Sequence, residues 1–252
     1  MVLKEKDGVK FLTFESLEGV GHCFSTRVGG VSEGYFSALN LGFSRGDPPE
    51  RVLENYVRLG RAAGFNHENM VWARQTHGVN ICRVSAKGMD YGRADGLLAD
   101  TGGVVLVTFH ADCAPIFFYD PINNAVGLAH AGWRGTLGEI GRKVVEEMAR
   151  HFGSRAGDIL AGIGPAIGPC CFEVDAPVAE AFMRLPFAGG HIRQRGLKFN
   201  IDLWALNRES LLRAGVGGVE VAGLCTKCQE RLFFSHRRSG CRRGSMAAFI
   251  WL

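Results

Sequence analysis

Apolar positions along this chain recur with two periods, and each period predicts its own kind of element. Val52, Tyr56, Leu59 and Ala63 return at helical spacing within ERVLENYVRLGRAAGF, so a helix is expected from Glu50, with Gly64 placed to cap its end. A second helix is predicted over Thr136–Phe152, where Leu137, Ile140, Val144, Val145 and Met148 form a stripe beside Glu139, Arg142, Lys143, Glu146 and Glu147. Two more are predicted over Val174–Arg184 and Leu203–Ala214, the latter opened by Asp202 as N-cap and followed by Gly215. Short apolar runs predict strands at Ile81–Ser85, Gly103–Phe109, Pro115–Tyr119, Ala125–Ala129, Ile159–Ile163, Val219–Leu224 and Ala247–Leu252. Strands interleaved with helices make an α/β or α+β protein with mixed sheets.

The string Asp120-Pro121-Ile122-Asn123-Asn124 is rich in turn formers, so the strands on either side of it read as a hairpin. A turn centred near Ile122 sets Cys113 opposite His130 within one residue of register. Opposed residues have Cβ atoms about 4.5–5.5 Å apart. At that separation a thiolate and an imidazole can share one metal, since Zn–S is about 2.3 Å and Zn–N about 2.0–2.1 Å. His77 in RQTHG is a third candidate; two His and one Cys leave a fourth tetrahedral position for water. The spacing is not a compact metal motif, and the alternative is a buried, inert Cys113 with two hydrogen-bonded loop histidines.

Composition narrows the setting. The chain has 252 residues, 46% hydrophobic and 21% charged, with no repeat, linker or low-complexity block, so residues 1–252 are expected to form a single domain. A net charge of +4 does not suggest a nucleic-acid surface, and Arg237, Arg238, Arg242 and Arg243 read as a solvated face. MVLKEKDGVKFLTFE lacks the apolar stretch of a signal peptide and no apolar run is long enough for a membrane span, so the expected location is cytoplasmic. The eight cysteines are then expected to be reduced thiols or ligands rather than a disulfide framework. Cys225-x-x-Cys228 has no second such pair and reads as plain thiols; adjacent Cys170 and Cys171 read as small packing residues. Gly29–Gly34 (GGVSEG) matches neither a Walker loop nor a GxGxxG fingerprint.

With RQTHG, ADGLLAD, ADCAPIFFYD, GLAHAGWRGT, GPAIGPCCFEV and FFSHRRSGCRRGSMAAFIWL in this order, the chain resembles the YfiH-type family from His22 to its C-terminus. That family is also called laccase-domain or multicopper polyphenol oxidase-like and includes peptidoglycan editing factor-like proteins. The resemblance implies an α+β fold, layered α/β/β/α, with two mixed sheets packed together and helices outside. It also implies that His77, Cys113 and His130 form a catalytic Zn2+ site. The implied activity is phosphorolysis of the purine nucleosides adenosine, inosine, guanosine and S-methylthioadenosine, with inorganic phosphate as co-substrate, and hydrolytic deamination of adenosine. Such an enzyme is both a transferase and a hydrolase.

Within that chemistry Arg27 and Arg134, beside Gly-rich turns, are candidates to grip phosphate or ribose, because a guanidinium holds two oxygens at once. Asn40 and Gln75 are candidates for ribose or base, and Asp112 for orienting a histidine ligand. The alternatives are surface ion pairs for the arginines, backbone ties for Asn40 and Gln75, and a turn cap for Asp112. The chain departs from the family pattern at His110, His236 and Cys241, where a small or hydroxyl residue, Tyr and Thr are usual. His110 is near enough to compete for metal, although along one strand it and Cys113 would point to opposite faces.

Three other readings compete. One is a cysteine or metal-dependent amide hydrolase acting on peptidoglycan precursors, with Cys113 as nucleophile. Another is a non-catalytic protein built on a structural zinc. The third is a copper polyphenol oxidase, since two His and a Cys also suit copper; none of the eight histidines, however, falls in a His-x-His pair.

Overall fold

A computed structural model describes residues 1–252. Its centre is the expected hairpin, Ala114–Asp120 and Ala125–Ala131, buried along its whole length. The Asp120 carboxylate shapes the turn by accepting from the Ile122 and Asn123 N–H groups at 2.9 and 3.1 Å. Strands apolar on both faces need cover on both sides, and the hairpin obtains it by lying in the middle of a six-stranded mixed sheet. The order in that sheet is Gly218–Val221, Leu160–Ile163, Ala114–Asp120, Ala125–Ala131, Gly96–Ala99 and Ile81–Arg83. A second six-stranded sheet runs Val2–Lys6, Val9–Thr13, Gly21–Ser25, Met246–Trp251, Val105–His110 and Met70–Val71. A small third sheet joins Glu173–Val174, Lys198–Ile201 and Ile192–Arg195.

The two large sheets pack face to face. Phe117, Tyr119, Val126 and Leu128 of the hairpin meet Leu12, Phe24, Leu106, Ala248 and Ile250 in one core. The opposite face of the hairpin sheet, with Ile116, Phe118 and Ala129, is covered by Val144 and Met148 of the helix Ile140–Phe152 and by Leu211 of the helix Leu203–Arg213. The helix Pro49–Ala63 lays Val52, Tyr56 and Leu59 on the outer face of the second sheet, against Val105, Val107 and Phe249. The layering is therefore α/β/β/α, as the resemblance implied. No helix is long and apolar enough to cross a membrane.

Gly64 ends its helix in the left-handed region at φ 92°, and Asp202 accepts from the Ala205 N–H at 3.0 Å, both as expected. The helix expected over Thr136–Phe152 is instead two, Trp133–Leu137 and Ile140–Phe152, broken where Glu139 adopts φ 53°. The apolar stripe carries no mark of this break, because the break serves a tertiary contact: the Ser210 hydroxyl donates to the Glu139 carboxylate at 3.0 Å. The helix expected over Val174–Arg184 begins two residues later, at Ala176. The strands Val2–Lys6, Val9–Thr13, Gly21–Ser25 and Gly96–Ala99, and the pair at Ile192–Ile201, were not expected from pattern; Val2–Lys6 is exposed throughout and carries no alternation.

His22 is buried between the sheets, where its Nε2 accepts from the Phe14 N–H at 2.8 Å and its Nδ1 donates to the Val20 carbonyl at 3.0 Å. Burial first of all lowers its pKa, so the folded ring stays neutral where an unfolded one takes a proton. A depressed histidine makes the unfolded state bind more protons, and stability falls as pH drops below about 6.5, by up to ~1.4 kcal/mol per pH unit. Urea unfolding at pH 7 and pH 5.5 is expected to show this loss, and His22→Gln to flatten it by about one proton.

Candidate active site and metal centre

Alternation along the inner faces decides where the site lies. Val126, Leu128 and His130 share one face of their strand, and Phe117, Pro115 and, by continuation, Cys113 share the facing one, so both chemical residues end on the layer between the sheets. The register differs from the expectation: His130 faces Pro115, two positions from Cys113. A two-residue difference keeps the face, and Cys113 is a diagonal rather than a direct neighbour. His77 arrives from the loop after Met70–Val71. Its Nδ1 or Nε2, one ring nitrogen of His130 and Cys113 Sγ lie within 4.8 Å of one another.

Asp95, at the start of Gly96–Ala99, organises this cluster. Its Oδ1 accepts from the His77 N–H and from His130 Nδ1, both at 2.9 Å. Its Oδ2 accepts from Gly78 N–H at 2.8 Å and from the Thr76 N–H and hydroxyl at 3.1 and 3.0 Å. This cradle holds His77 at φ 59°, a conformation costly for a residue with a side chain. Because a carboxylate can only accept, His130 must carry its proton on Nδ1, leaving Nε2 for a metal. Burial would raise Asp95, but the bonds from His130, Gly78 and Thr76 hold it far below the ordinary carboxylate range. Its role leaves no local sign in the sequence, because the histidines it holds lie 18 and 35 positions away.

The donors suit a divalent cation. Burial pushes the Cys113 thiol up, yet His130 and His77 bring it down to about 6; burial pushes His130 down, yet Cys113 and Asp95 bring it up to about 9. Without metal the pair is thus a thiolate facing an imidazolium, and a cation would replace one proton. Gly132 leaves room for it: a Cβ there would stand 3.2 Å from Cys113 Sγ and 3.3 Å from His77 Cδ2. His110 does not compete. Its Nδ1 donates to the Cys113 carbonyl at 3.0 Å and its Nε2 accepts from the Thr108 hydroxyl at 2.8 Å, so both nitrogens are committed. The expectation that it points away from Cys113 along one strand also fails, because residues 111–113 carry the chain from one sheet to the other.

Two cavities meet at the cluster. The larger, about 610 Å³, has aromatic walls at Trp72, Phe109 and Phe43 and polar groups at Arg74, Gln75 and Asp90. The other, about 400 Å³, lies toward Trp133, Phe172, His236 and Arg237. His77, Cys113, Arg45 and Arg243 line both. Arg243, expected on a solvated face, is 8% exposed. Its Nη1 donates to the Gly244 carbonyl at 2.8 Å and the Ser245 hydroxyl at 3.3 Å, while its Nε is buried without a partner. Burial and then the Arg45 charge lower its pKa to about 10.

The other candidates are used differently. Arg27 donates through Nε and Nη2 to the Ser37 carbonyl at 2.9 and 2.6 Å and covers the Phe234 ring; it is neither in the two cavities nor in an ion pair. Arg134 stacks on Trp133, 4.2 Å from the ring centroid, outside both cavities. Asn40 is fully buried and bonds Asp47, Gly42 and Ser245, so it shapes the wall without reaching the space. Gln75 does line the larger cavity, but its amide is taken up by the Phe109 carbonyl and N–H at 2.9 and 2.7 Å. Asp112 orients no histidine: it accepts from the Thr226 hydroxyl at 2.7 Å and the Arg237 N–H at 2.6 Å, pinning the C-terminal segment beside Cys113.

Purine nucleoside phosphorylase YfiH of Escherichia coli (strain K12) is 40% identical to this chain over 236 residues, 93% of this chain and 95% of that protein. Among solved structures, YlmD from Geobacillus stearothermophilus superposes with a TM-score of 0.92 at 37% identity, covering 98% of this chain and 97% of the other. Bacillus licheniformis YfiH superposes with a TM-score of 0.91 at 34% identity, covering 99% and 98%. The sequence model of one family matches residues 21–252. With that match, and with relatives this similar along their whole length, the chain belongs to the family described as multi-copper polyphenol oxidoreductase laccase.

Proposed function

We propose that this protein is a zinc-dependent purine nucleoside enzyme. It cleaves adenosine, inosine, guanosine and S-methylthioadenosine with inorganic phosphate and also deaminates adenosine hydrolytically, with His77, Cys113 and His130 holding the metal. The carrying observation is the meeting of two cavities at this cluster beside a buried, unpaired arginine, which suits a reaction joining an aromatic nucleoside to an anion. The activity named for the E. coli relative supports the same reading. It takes residues 1–252 as one domain working in the cytoplasm, where the eight unbridged cysteines stay reduced.

In phosphorolysis a phosphate oxygen bonds to the ribose C1′, the C1′–N9 bond breaks, and its electron pair leaves with the base. Trp72, Phe109 and Phe43 offer faces for the purine. Arg243 offers Nη2, whose two N–H groups are not spent within the chain, to phosphate oxygens at the wall that both cavities share. Asp95 keeps His130 oriented and His77 in its turn, so the donor geometry is paid for in folding. A zinc ion held there supplies Lewis-acid charge to a substrate oxygen or to water. Deamination needs water at C6, on the far side of the purine from C1′, so the two reactions require two orientations of the nucleoside in the larger cavity.

Chromatography of adenosine incubated with and without phosphate tests this. Adenine and ribose 1-phosphate are expected only with phosphate, inosine in either case, and none of the three with His77→Ala. Absence of all three from the zinc-loaded wild type defeats the proposal. A cysteine amide hydrolase is the second reading, favoured by the thiolate–imidazolium pair of Cys113 and His130; a chelator would leave such a dyad active. The family description names copper, but a multicopper site needs further histidines, and only His77 and His130 among the eight share a possible metal cluster.

A further inference from the structure

Four cysteines that sequence spacing left as plain thiols converge in space. Cys170 and Cys171 follow the strand Leu160–Ile163; Cys225 and Cys228 follow Gly218–Val221, which pairs parallel to it. The two following loops stay together: the Ala166 N–H donates to the Leu224 carbonyl at 3.3 Å and the Thr226 N–H to the Ala166 carbonyl at 3.0 Å. The four sulfurs lie within 4.8 Å of one another, with Cys228 Sγ 3.6 Å from Cys170 Sγ and 3.4 Å from Cys171 Sγ. Four sulfurs bound tetrahedrally at about 2.3 Å from zinc stand ~3.8 Å apart. The two short separations fall a few tenths of an ångström below that value, and the 4.8 Å limit on the others lies above it.

We propose that Cys170, Cys171, Cys225 and Cys228 bind a second zinc ion, separate from the one at His77, in a closed tetrathiolate site. The surroundings suit the charge of such a centre. The Gly168 N–H donates to Cys225 Sγ at 3.3 Å, as backbone amides do to thiolate ligands. Arg237 donates to the Cys171 and Glu173 carbonyls, and Arg238 to the Thr226 and Lys227 carbonyls, which brings two cations to the two loops. With all four positions filled by protein, the site has no place for substrate and is structural. It braces the smaller cavity: Ile167 and Phe172 on one clamped loop form part of its wall, and Thr226 on the other bonds Asp112 next to Cys113.

The test is a zinc count by elemental mass spectrometry on purified, dialysed protein, with cobalt substitution as a second measurement. Two zinc per chain are expected for the wild type and one for the Cys170→Ser/Cys228→Ser variant. His77→Ala, which disrupts only the first site, should keep one, and in its cobalt form should show the strong near-ultraviolet charge-transfer bands of four thiolates. The cobalt spectrum decides the matter even if the cysteine variant fails to fold. A wild type holding one zinc that His77→Ala removes overturns the second site, as does a red, iron-type absorption or an intact mass short of two hydrogens from a disulfide. One zinc that only the cysteine variant loses supports the tetrathiolate site and overturns the first.

Discussion

Cys113→Ala is expected to lower phosphate-dependent cleavage of inosine by about 10³-fold or more, because a metal at a reacting oxygen contributes several kcal/mol of transition-state stabilisation. The same variant should lose one zinc per chain. Alanine fits the site, since Cys113 is already flanked by buried Ala114 and removal of the thiol leaves the Asp95 cradle intact. Circular dichroism should therefore match the wild type, and full retention of both zinc and activity would sink the ligand role. Cys113→Asp separates ligand from nucleophile: it restores an anionic donor without a thiol, so recovered zinc with partial phosphorolysis is expected. Asp95→Asn acts one step removed. It takes the negative charge from behind His130 and sets an amide against N–H groups that need an acceptor, and zinc affinity should fall about 10–100-fold.

Arg243→Leu is expected to raise the KM for phosphate about 100-fold while moving the KM for inosine far less. Two charge-assisted hydrogen bonds to one anion are worth ~3 kcal/mol together, which is that factor. The substitution removes a buried charge that lacks a carboxylate partner, so stability should hold or rise and unfolding cannot account for the loss. Arg243→Lys keeps the charge but not the guanidinium and should fall between the two. Steady-state kinetics at varied phosphate decides it: an unchanged phosphate KM in Arg243→Leu places the anion elsewhere.

Local pattern was enough for elements whose partners are near in sequence. The helix from Pro49, the cap at Asp202 and the hairpin around Ile122 all follow from periodicity and turn chemistry within a few residues. The three residues proposed to hold the metal follow from motif resemblance, with the hairpin supporting two of them, since a hairpin brings its own ends together. Side-chain roles were legible only in type. Arg27, Arg134, Asn40 and Gln75 carry groups that can bind ribose or phosphate, and the fold engages those groups with carbonyls, a tryptophan face and buried turns.

What the sequence determined by itself was a mixed α/β or α+β class and the short-range elements, because a buried strand or an amphipathic helix follows from period and composition, while the layering followed only from the family resemblance. What only the tertiary structure decided was who meets whom across long separations. Asp95 reaches His130 because neighbouring strands pair; Arg243 loses solvent because the last strand runs in the centre of its sheet; the four cysteines meet because two parallel strands end side by side. Each depends on pairing between strands distant in sequence, with 35 positions between Asp95 and His130 and 58 between Cys170 and Cys228, which no local period encodes.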